Sequence, residues 1–383
     1  MNKILLHASV ASMLYKFNLD NIDILQNIGF DVEIACDFGN DNPMSFDEIN
    51  DFKKKLNKKN IKYYDVICPR SIFKISKIYK GYKQLLEISN NNYSVVHTQS
   101  PIGGVICRLA FKNKRKNGLK IIYQAHGFHF YKGASLLNWL IFYPIEKFCS
   151  KYTDILITIN SEDFLLAKNK FHMNKIEYVP GVGVDVNKFE FLDKVDILKS
   201  ELNIGKDYFV FLSIGELNEN KNHIVVLKAL KKLLENDCDK WKYIICGEGN
   251  QRKKIDEFIR NNRLSENVYL AGYRTDVNRF YGIADAFIFP SFREGLSVSL
   301  MEAMACGLPC IVSNIRGNVD LIDESGGVLF NPFDYESCFN AIEKIINCDE
   351  IEKMKKHNVS KIMSFDKSNV SLIMEQIYRS CLK

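Results

Sequence analysis

The stretch FPSFREGLSVSLMEAMACGLPCIVSN, residues 289–314, holds Glu294 and Glu302 with seven residues between them. An apolar run, Ala286–Phe289, leads into it, and a second, Cys310–Val312, lies near its end. Between them come a loop with Gly295, an apolar helical pattern around Glu302, and the helix-ending residues Gly307 and Pro309. Strand, loop, helix, turn and strand in that order make one unit of a parallel α/β sheet. Ligands of such sheets sit at the carboxyl ends of the strands. Gly295 permits a tight turn there, and Ser297 is placed to cap the helix. The N–H groups of Leu296, Ser297 and Val298 would then face an anion. Carboxylates beside such donors suit a ligand that offers sugar hydroxyls to the acids and phosphates to the backbone, as a nucleotide sugar does.

The same alternation runs through the whole chain. Strands are predicted at Lys3–His7, Asp31–Cys36, Lys62–Val66, Val95–Thr98, Lys120–Ala125 and Ile155–Thr158 in the first half. In the second half they are Tyr208–Ile214, Lys242–Cys246, Val268–Ala271, Ala286–Phe289, Cys310–Val312 and Gly327–Leu329. Helical patterns such as His223–Asn236 and Gln251–Asn262 lie between them. Alternating β and α implies parallel sheets covered on both faces, and 383 residues imply two such domains. The join is expected near Pro180–Phe191, where turn residues replace periodicity. A final helix, Lys367–Leu382, follows the last unit.

Four further segments follow strands and carry candidate chemistry. In SIGELNENKNH, residues 213–223, a strand ends at Gly215 and Lys221 opens a helix. A lysine there opposes the helix dipole, and a diphosphate between them would reverse that sign. In CGEGNQRKKI, residues 246–255, Gly247 and Glu248 let backbone approach a ligand. AGYRTDV, residues 271–277, offers Tyr273 and Arg274. In QAHGFHFYKGASLLNWLIFYPIEK, residues 124–147, His126 and Gly127 follow a strand, and Leu136–Tyr143 is either a lipid-facing surface or core helix. In VVHTQSPIGG, residues 95–104, His97 precedes Pro101, Gly103 and Gly104 at a helix start, and Ala8 and Ser9 are small residues after the first strand. His126 and His129 have no third metal ligand nearby in sequence. Asp237-Cys238-Asp239 spells D-x-D but reads as a polar turn between a helix and a strand, so no essential metal is expected.

Composition narrows the class. With 46% apolar and 26% charged residues the chain is globular. Residues 1–180 carry 25 Lys and Arg against 16 Asp and Glu, a balance of +9, while the remainder stands at −3. A basic first half suggests an anionic partner such as a membrane surface; nothing resembles a nucleic-acid module. Eleven scattered cysteines without C-x-x-C spacing, and no signal-peptide pattern, suggest a reduced, cytoplasmic protein.

Taken together, these segments closely resemble the family 4 glycosyltransferases, retaining enzymes of the GT-B fold marked by an E-x7-E signature. The resemblance implies two doubly wound Rossmann-like domains facing across a cleft. Residues 1–185 would bind the acceptor and 186–366 the nucleotide sugar, with 367–383 a helix crossing back to the first domain. It assigns Glu294 to donor-sugar hydroxyls, Glu302 to the ribose and Lys221 to the diphosphate. Gly215, Gly247, Glu248, Gly295, Leu296 and Ser297 would line the donor site, with Tyr273 and Arg274 against the base. His126 would stand by the reacting sugar, with Ala8, Ser9, His97, Pro101, Gly103 and Gly127 on the acceptor side. Two departures stand out: Glu216 replaces the family's arginine before the loop, and Gln99 stands where many members have a second histidine. The segments HGFHFYKG and GELN-x-NKNH are most similar to capsule and exopolysaccharide transferases. That implies transfer, usually from a UDP-sugar, to a polyprenyl-diphosphate-linked saccharide at the inner membrane face, by a peripheral enzyme. Two other readings are a GT-B UDP-sugar 2-epimerase and a non-catalytic sugar-nucleotide-binding module.

Overall fold

Thirteen strands form among the described residues, which in this computed structural model are 2–39, 42–189 and 195–382. In the first half they are β1 (Asn2–Val10), β2 (Phe30–Asp37), β3 (Lys62–Asp65), β4 (Val95–Gln99), β5 (Lys120–Ala125), β6 (Ile155–Thr158) and β7 (Lys175–Tyr178). The second half has β8 (Phe209–Ile214), β9 (Trp241–Cys246), β10 (Val268–Gly272), β11 (Ala286–Phe289), β12 (Cys310–Ser313) and β13 (Gly327–Phe330). The first sheet runs β3-β2-β1-β4-β5-β6-β7 and the second β10-β9-β8-β11-β12-β13, with every pairing parallel. Both are doubly wound, and each order reverses once, between β1 and β4 and between β8 and β11. The expected α/β class is therefore present in both halves.

Burial explains why the central strands read as unbroken apolar runs. Ile4, Leu5 and Leu6 are all fully buried, because helices cover both faces of the sheet. Ile4 and Leu6 join the core on one face, and Leu5 joins Val96 and Ile121 on the other. In the second sheet Leu212 and Phe211 divide in the same way. β7, which the sequence reading missed, is a four-residue edge strand, KIEY, with Lys175 exposed and the rest half-buried. Its two charges hide the apolar signal.

The chain forms two compact units, Met1–Val182 with Val370–Lys383, and Gly183–Asn369. The last helix, Lys367–Arg379, sends Val370, Met374, Ile377 and Tyr378 into the core on one face of the first sheet, with the Tyr378 hydroxyl 2.9 Å from His97 Nδ1 of β4, which is why it belongs to the first unit. Near the crossover, Val184 N–H donates to the Phe365 carbonyl at 3.0 Å and Lys367 N–H to the Val184 carbonyl at 3.0 Å. Glu190 and Phe191, at the end of the expected join, lie outside the described residues.

Candidate functional site

The reversal of strand order in the second sheet puts the loops after β8 and β11 side by side. Asparagines stitch them together. Asn222 adopts the left-handed conformation at φ 51°, and its side-chain amide donates to the Pro290 carbonyl at 3.2 Å and to the Pro332 carbonyl at 2.9 Å. Asn220 donates through its side chain to the Arg293 carbonyl at 2.9 Å, and Phe292 N–H donates to the Asn220 carbonyl at 2.8 Å. Asn218 caps the short turn Glu219–Lys221 by accepting from Lys221 N–H at 3.1 Å. The result brings Lys221 Nζ to 2.7 Å from Glu294 Oε1. The ammonium also sits 4.4 Å from the centroid of the Phe289 ring. The Lys221 and Glu294 side chains are only 18% and 15% exposed, so the pair is more than a surface contact.

Glycines hold the neighbouring strand ends close. Gly215 N–H donates to the Cys246 carbonyl at 3.0 Å, and Gly247 N–H to the Gly272 carbonyl at 2.8 Å. A Cβ on Gly247 would fall inside the Gly215 carbonyl oxygen, so only glycine fits there. Glu248 pairs with Arg252 one helical turn on. Arg274 grips Asp276 with two bonds of 2.8 and 2.7 Å, which raises the guanidinium's pKa and lowers the carboxyl's. Tyr273 is 75% exposed.

Ser297 is the N-cap of the helix Val298–Ala305, accepting from Leu300 N–H at 3.4 Å. Glu302 sits one turn into that helix. Burial raises its pKa, against a hydrogen bond from the Tyr281 hydroxyl at 3.0 Å. One residue of this loop cluster escaped the sequence reading. Arg316, 7% exposed in the loop after β12, donates through Nε to the Glu294 main-chain carbonyl at 3.2 Å. Its neighbour Gly317, at φ 82°, lies so close that a Cβ there would strike the Gly295 carbonyl. The missing signal was spatial: Arg316 is 22 residues from Glu294, and only the pairing of β11 with β12 makes them neighbours.

In the first sheet, β4 and β5 deliver Gln99 and His126 together. Gln99 Nε2 donates to Asn18 Oδ1 at 2.6 Å, and Gln99 Oε1 accepts from Asn18 Nδ2 at 3.2 Å. With its oxygen so turned, Gln99 accepts from His126 Nε2–H at 2.8 Å. Nδ1 of His126 is then the acceptor nitrogen. Part of the ring reaches the surface, but the atoms packed around it push its pKa down to about 4, so it is neutral near pH 7. His126, Gln99, Asn18 and Gly181 line one small recess. His129 instead lines a larger cavity with Ser9, Ser100 and Pro101.

Ser100 stands between the two at φ 74°, ψ 150°, a conformation that strains a residue bearing a side chain. It is held by Ser9 N–H, which donates to Ser100 Oγ at 3.1 Å, while Gly103 N–H donates to Ser9 Oγ at 3.2 Å. A Cβ on Gly103 would press on that same hydroxyl, and Gly127 takes φ 123° beside His126. Ala8 and His97 do not reach either cavity. Both are fully buried, and His97 Nδ1 lies 2.9 Å from the Tyr378 hydroxyl, its pKa pushed down to about 3 by burial. The Asp237-Cys238-Asp239 turn lies at the amino end of β9, the opposite end of the sheet from Gly247. Among the described residues no group of three or more His, Cys, Asp or Glu is arranged to hold a metal ion.

The helix Leu136–Ser150 resolves the two readings of its segment by face. Trp139, Phe142 and Tyr143 pack inward against the core around Phe130. Leu136, Leu137 and Leu140 point outward at 81%, 64% and 74% exposure, and Phe148 continues that face at 50%. The helix is anchored by Glu146, which is buried and paired with Arg108 at 2.8 Å. No described helix is long and apolar enough to cross a membrane.

Comparison with known proteins agrees with the fold. Residues 3–160 match the family described as glycosyl transferase 4-like, and residues 194–361 match glycosyl transferases group 1. The chain is 32% identical over 303 residues to EpsD of Bacillus subtilis (strain 168), named as a glycosyltransferase, covering 78% of this chain and 79% of that one. It is 28% identical over 357 residues to the UDP-Gal:alpha-D-GlcNAc-diphosphoundecaprenol alpha-1,3-galactosyltransferase of Escherichia coli, covering 91% and 88%. The fold matches that of Anabaena HepE, solved with UDP, at a TM-score of 0.76, 17% identity and 99% and 100% coverage. With both halves matched and both sheets doubly wound, the chain belongs to the group 1, family-4-like glycosyltransferases and is a glycosyltransferase of the GT-B fold.

Proposed function

We propose that this enzyme moves a sugar from a UDP-sugar to a saccharide carried on polyprenyl diphosphate, with retention at the anomeric carbon, during capsule or exopolysaccharide synthesis. The observation that carries the reading is the Lys221–Glu294 pair, 2.7 Å apart at the point where the second sheet reverses its strand order. A diphosphate offers Lys221 a stronger partner than one carboxylate, and its arrival turns Glu294 toward the donor sugar's hydroxyls. Glu302 accepts from the ribose. The N–H groups around Gly295, Leu296 and Ser297 meet phosphate oxygens. Gly215 and Gly247 let the backbone come close, and Tyr273 lies against the base. Arg316 holds the Glu294 main chain, so it positions the carboxylate. The nature of the acceptor is supported by the name of the Escherichia coli relative, which acts on a diphosphoundecaprenol-linked sugar.

Retention follows a same-face route. The acceptor hydroxyl oxygen attacks the anomeric carbon, the bond to the diphosphate breaks, and the hydroxyl proton passes to the departing phosphate oxygen. Charge grows on that diphosphate, and Lys221 with the backbone donors stabilises it, which is the main catalytic term. His126 acts as a neutral hydrogen-bonding group at the reacting sugar. No essential metal is needed in this scheme, since Lys221 supplies the cation. Activity is therefore expected to survive EDTA, whereas complete loss that added Mg2+ or Mn2+ reverses would contradict it. The enzyme works at the inner face of the cytoplasmic membrane, drawn by the basic first half and the outward leucines. Mass spectrometry of the lipid-linked product, scanned across UDP-sugars, tests the whole reading. One donor should add a single hexose or N-acetylhexosamine, and no adduct with any donor would refute it.

A further inference from the structure

A cavity of about 560 Å³ opens where the first sheet reverses its strand order, at the carboxyl ends of β1 and β4. Its size is that of sites that hold compact organic ligands. Val10, Met13, Ile72, Phe73, Ile102 and Phe142 give it carbon walls. The hydroxyls of Ser9 and Ser100, also in the wall, are spent on the backbone around them. Arg70 stands in the same wall and is exposed. It makes no hydrogen bond or ion pair with any described residue.

The rim continues the pattern. Between Asp65 and Glu87 the sequence holds Arg70, Lys74, Lys77, Lys80 and Lys83 and no carboxylate. Phe73 is 87% exposed and Ile75, which begins the helix Ile75–Ile88, is 73% exposed. An open, largely carbon-walled cavity, a guanidinium with no partner among the described residues and an apolar, basic rim together describe a ligand with an anionic head on a hydrocarbon tail.

We propose that this cavity takes the diphosphate and the first isoprene units of the acceptor lipid, with Arg70 as the phosphate ligand and Phe73 and Ile75 as the tail's exit. This rests on the reading above that the acceptor is lipid-linked, and it names the part of the chain that recognises the lipid. Guanidinium binds phosphate through paired, charge-assisted bonds, so the head fixes the register of the acceptor. The cavity adjoins the His126 recess through consecutive residues, Ser100 lining one and Gln99 the other. A saccharide on the diphosphate would therefore extend from the cavity toward His126.

Calorimetry with farnesyl diphosphate, farnesol and inorganic diphosphate, all at saturating UDP to block the donor's own phosphate site, tests this. Farnesyl diphosphate should bind at least about tenfold more tightly than either fragment. Arg70→Met should remove the gain from the diphosphate, Arg70→Lys should restore part of it, and Phe73→Ser should weaken binding while leaving the fold intact. Equal affinity of wild type and Arg70→Met for farnesyl diphosphate would overturn the proposal, as would inorganic diphosphate binding as tightly as the lipid. UDP binding is measured in the same preparations. Its loss in wild type, with the farnesyl diphosphate series behaving as expected, would sink the donor assignment and leave this site standing.

Discussion

Lys221 and Glu294 neutralise one another before any donor arrives. On the proposed reading, a UDP diphosphate would compete with Glu294 for the ammonium, and the two ligand contacts would form by exchange. Substituting Glu294 by Gln removes that competitor without changing shape. UDP should then bind at least as tightly as to wild type, while transfer falls by about a hundredfold or more because the sugar loses its charged acceptor. Calorimetry with UDP beside a transfer assay reads both. A parallel loss of UDP affinity would mean that Glu294 holds the nucleotide part instead. At this scale the sequence was informative where a residue acts through its own loop. Ser297 as a cap is visible in local spacing, and so is Lys221 close to a helix start, although the α-helix begins at His223 and Lys221 ends the short turn before it. Arg316 and the Gln99–Asn18 pair were not, because each meets its partner only after distant loops converge.

At the scale of single elements, the helix Leu136–Ser150 shows what periodicity leaves open. Its residues are apolar on most sides, so the pattern alone could not separate a core face from a lipid face. Packing does so: Trp139 Nε1 donates to the Tyr131 carbonyl at 3.3 Å, and Phe142 lies 4.6 Å from the His129 ring. Serine at either would open the core. The informative change is Leu136→Ser with Leu140→Ser, both on the exposed face. This variant should stay folded and lose much of its flotation with anionic vesicles, and wild-type flotation should weaken as salt rises, since surface charges are screened over roughly 8–10 Å. Undiminished flotation of the double variant would remove the helix from the membrane surface. The edge strand β7 escaped notice for the opposite reason, having too little apolar signal. Most strands buried on both faces were legible to within a residue, because a parallel sheet leaves them no polar side, but β1 runs on through Ala8 and Ser9 to Val10, three residues past the expected end at His7.

Over the whole molecule, burial of histidine sets a pH limit. Burial lowers the pKa of His7, His97 and His223 to about 3 and that of His126 to about 4. The unfolded chain binds these protons near pH 6.5, so it gains protons first as the pH falls. The stability they contribute is full above about pH 6.5 and is lost progressively toward pH 3 to 4. Thermal melts should therefore show a Tm several degrees lower at about pH 5 than at about pH 7.5. Equal Tm values would mean that these rings are open to protons in the folded state. The same four shifts predict that between those pH values His126 gives transfer no inflexion of its own.

The proposed donor site rests most directly on Glu294, whose side chain pairs with Lys221 and is part of no hydrophobic core. The decisive measurement is the turnover of Glu294→Ala at saturating UDP-sugar and lipid-linked acceptor, with circular dichroism confirming the fold. Loss of a charged contact made in the transition state costs about 2–4 kcal/mol, so turnover should fall about a hundredfold or more in a folded protein. Turnover near that of wild type would contradict the donor site described here.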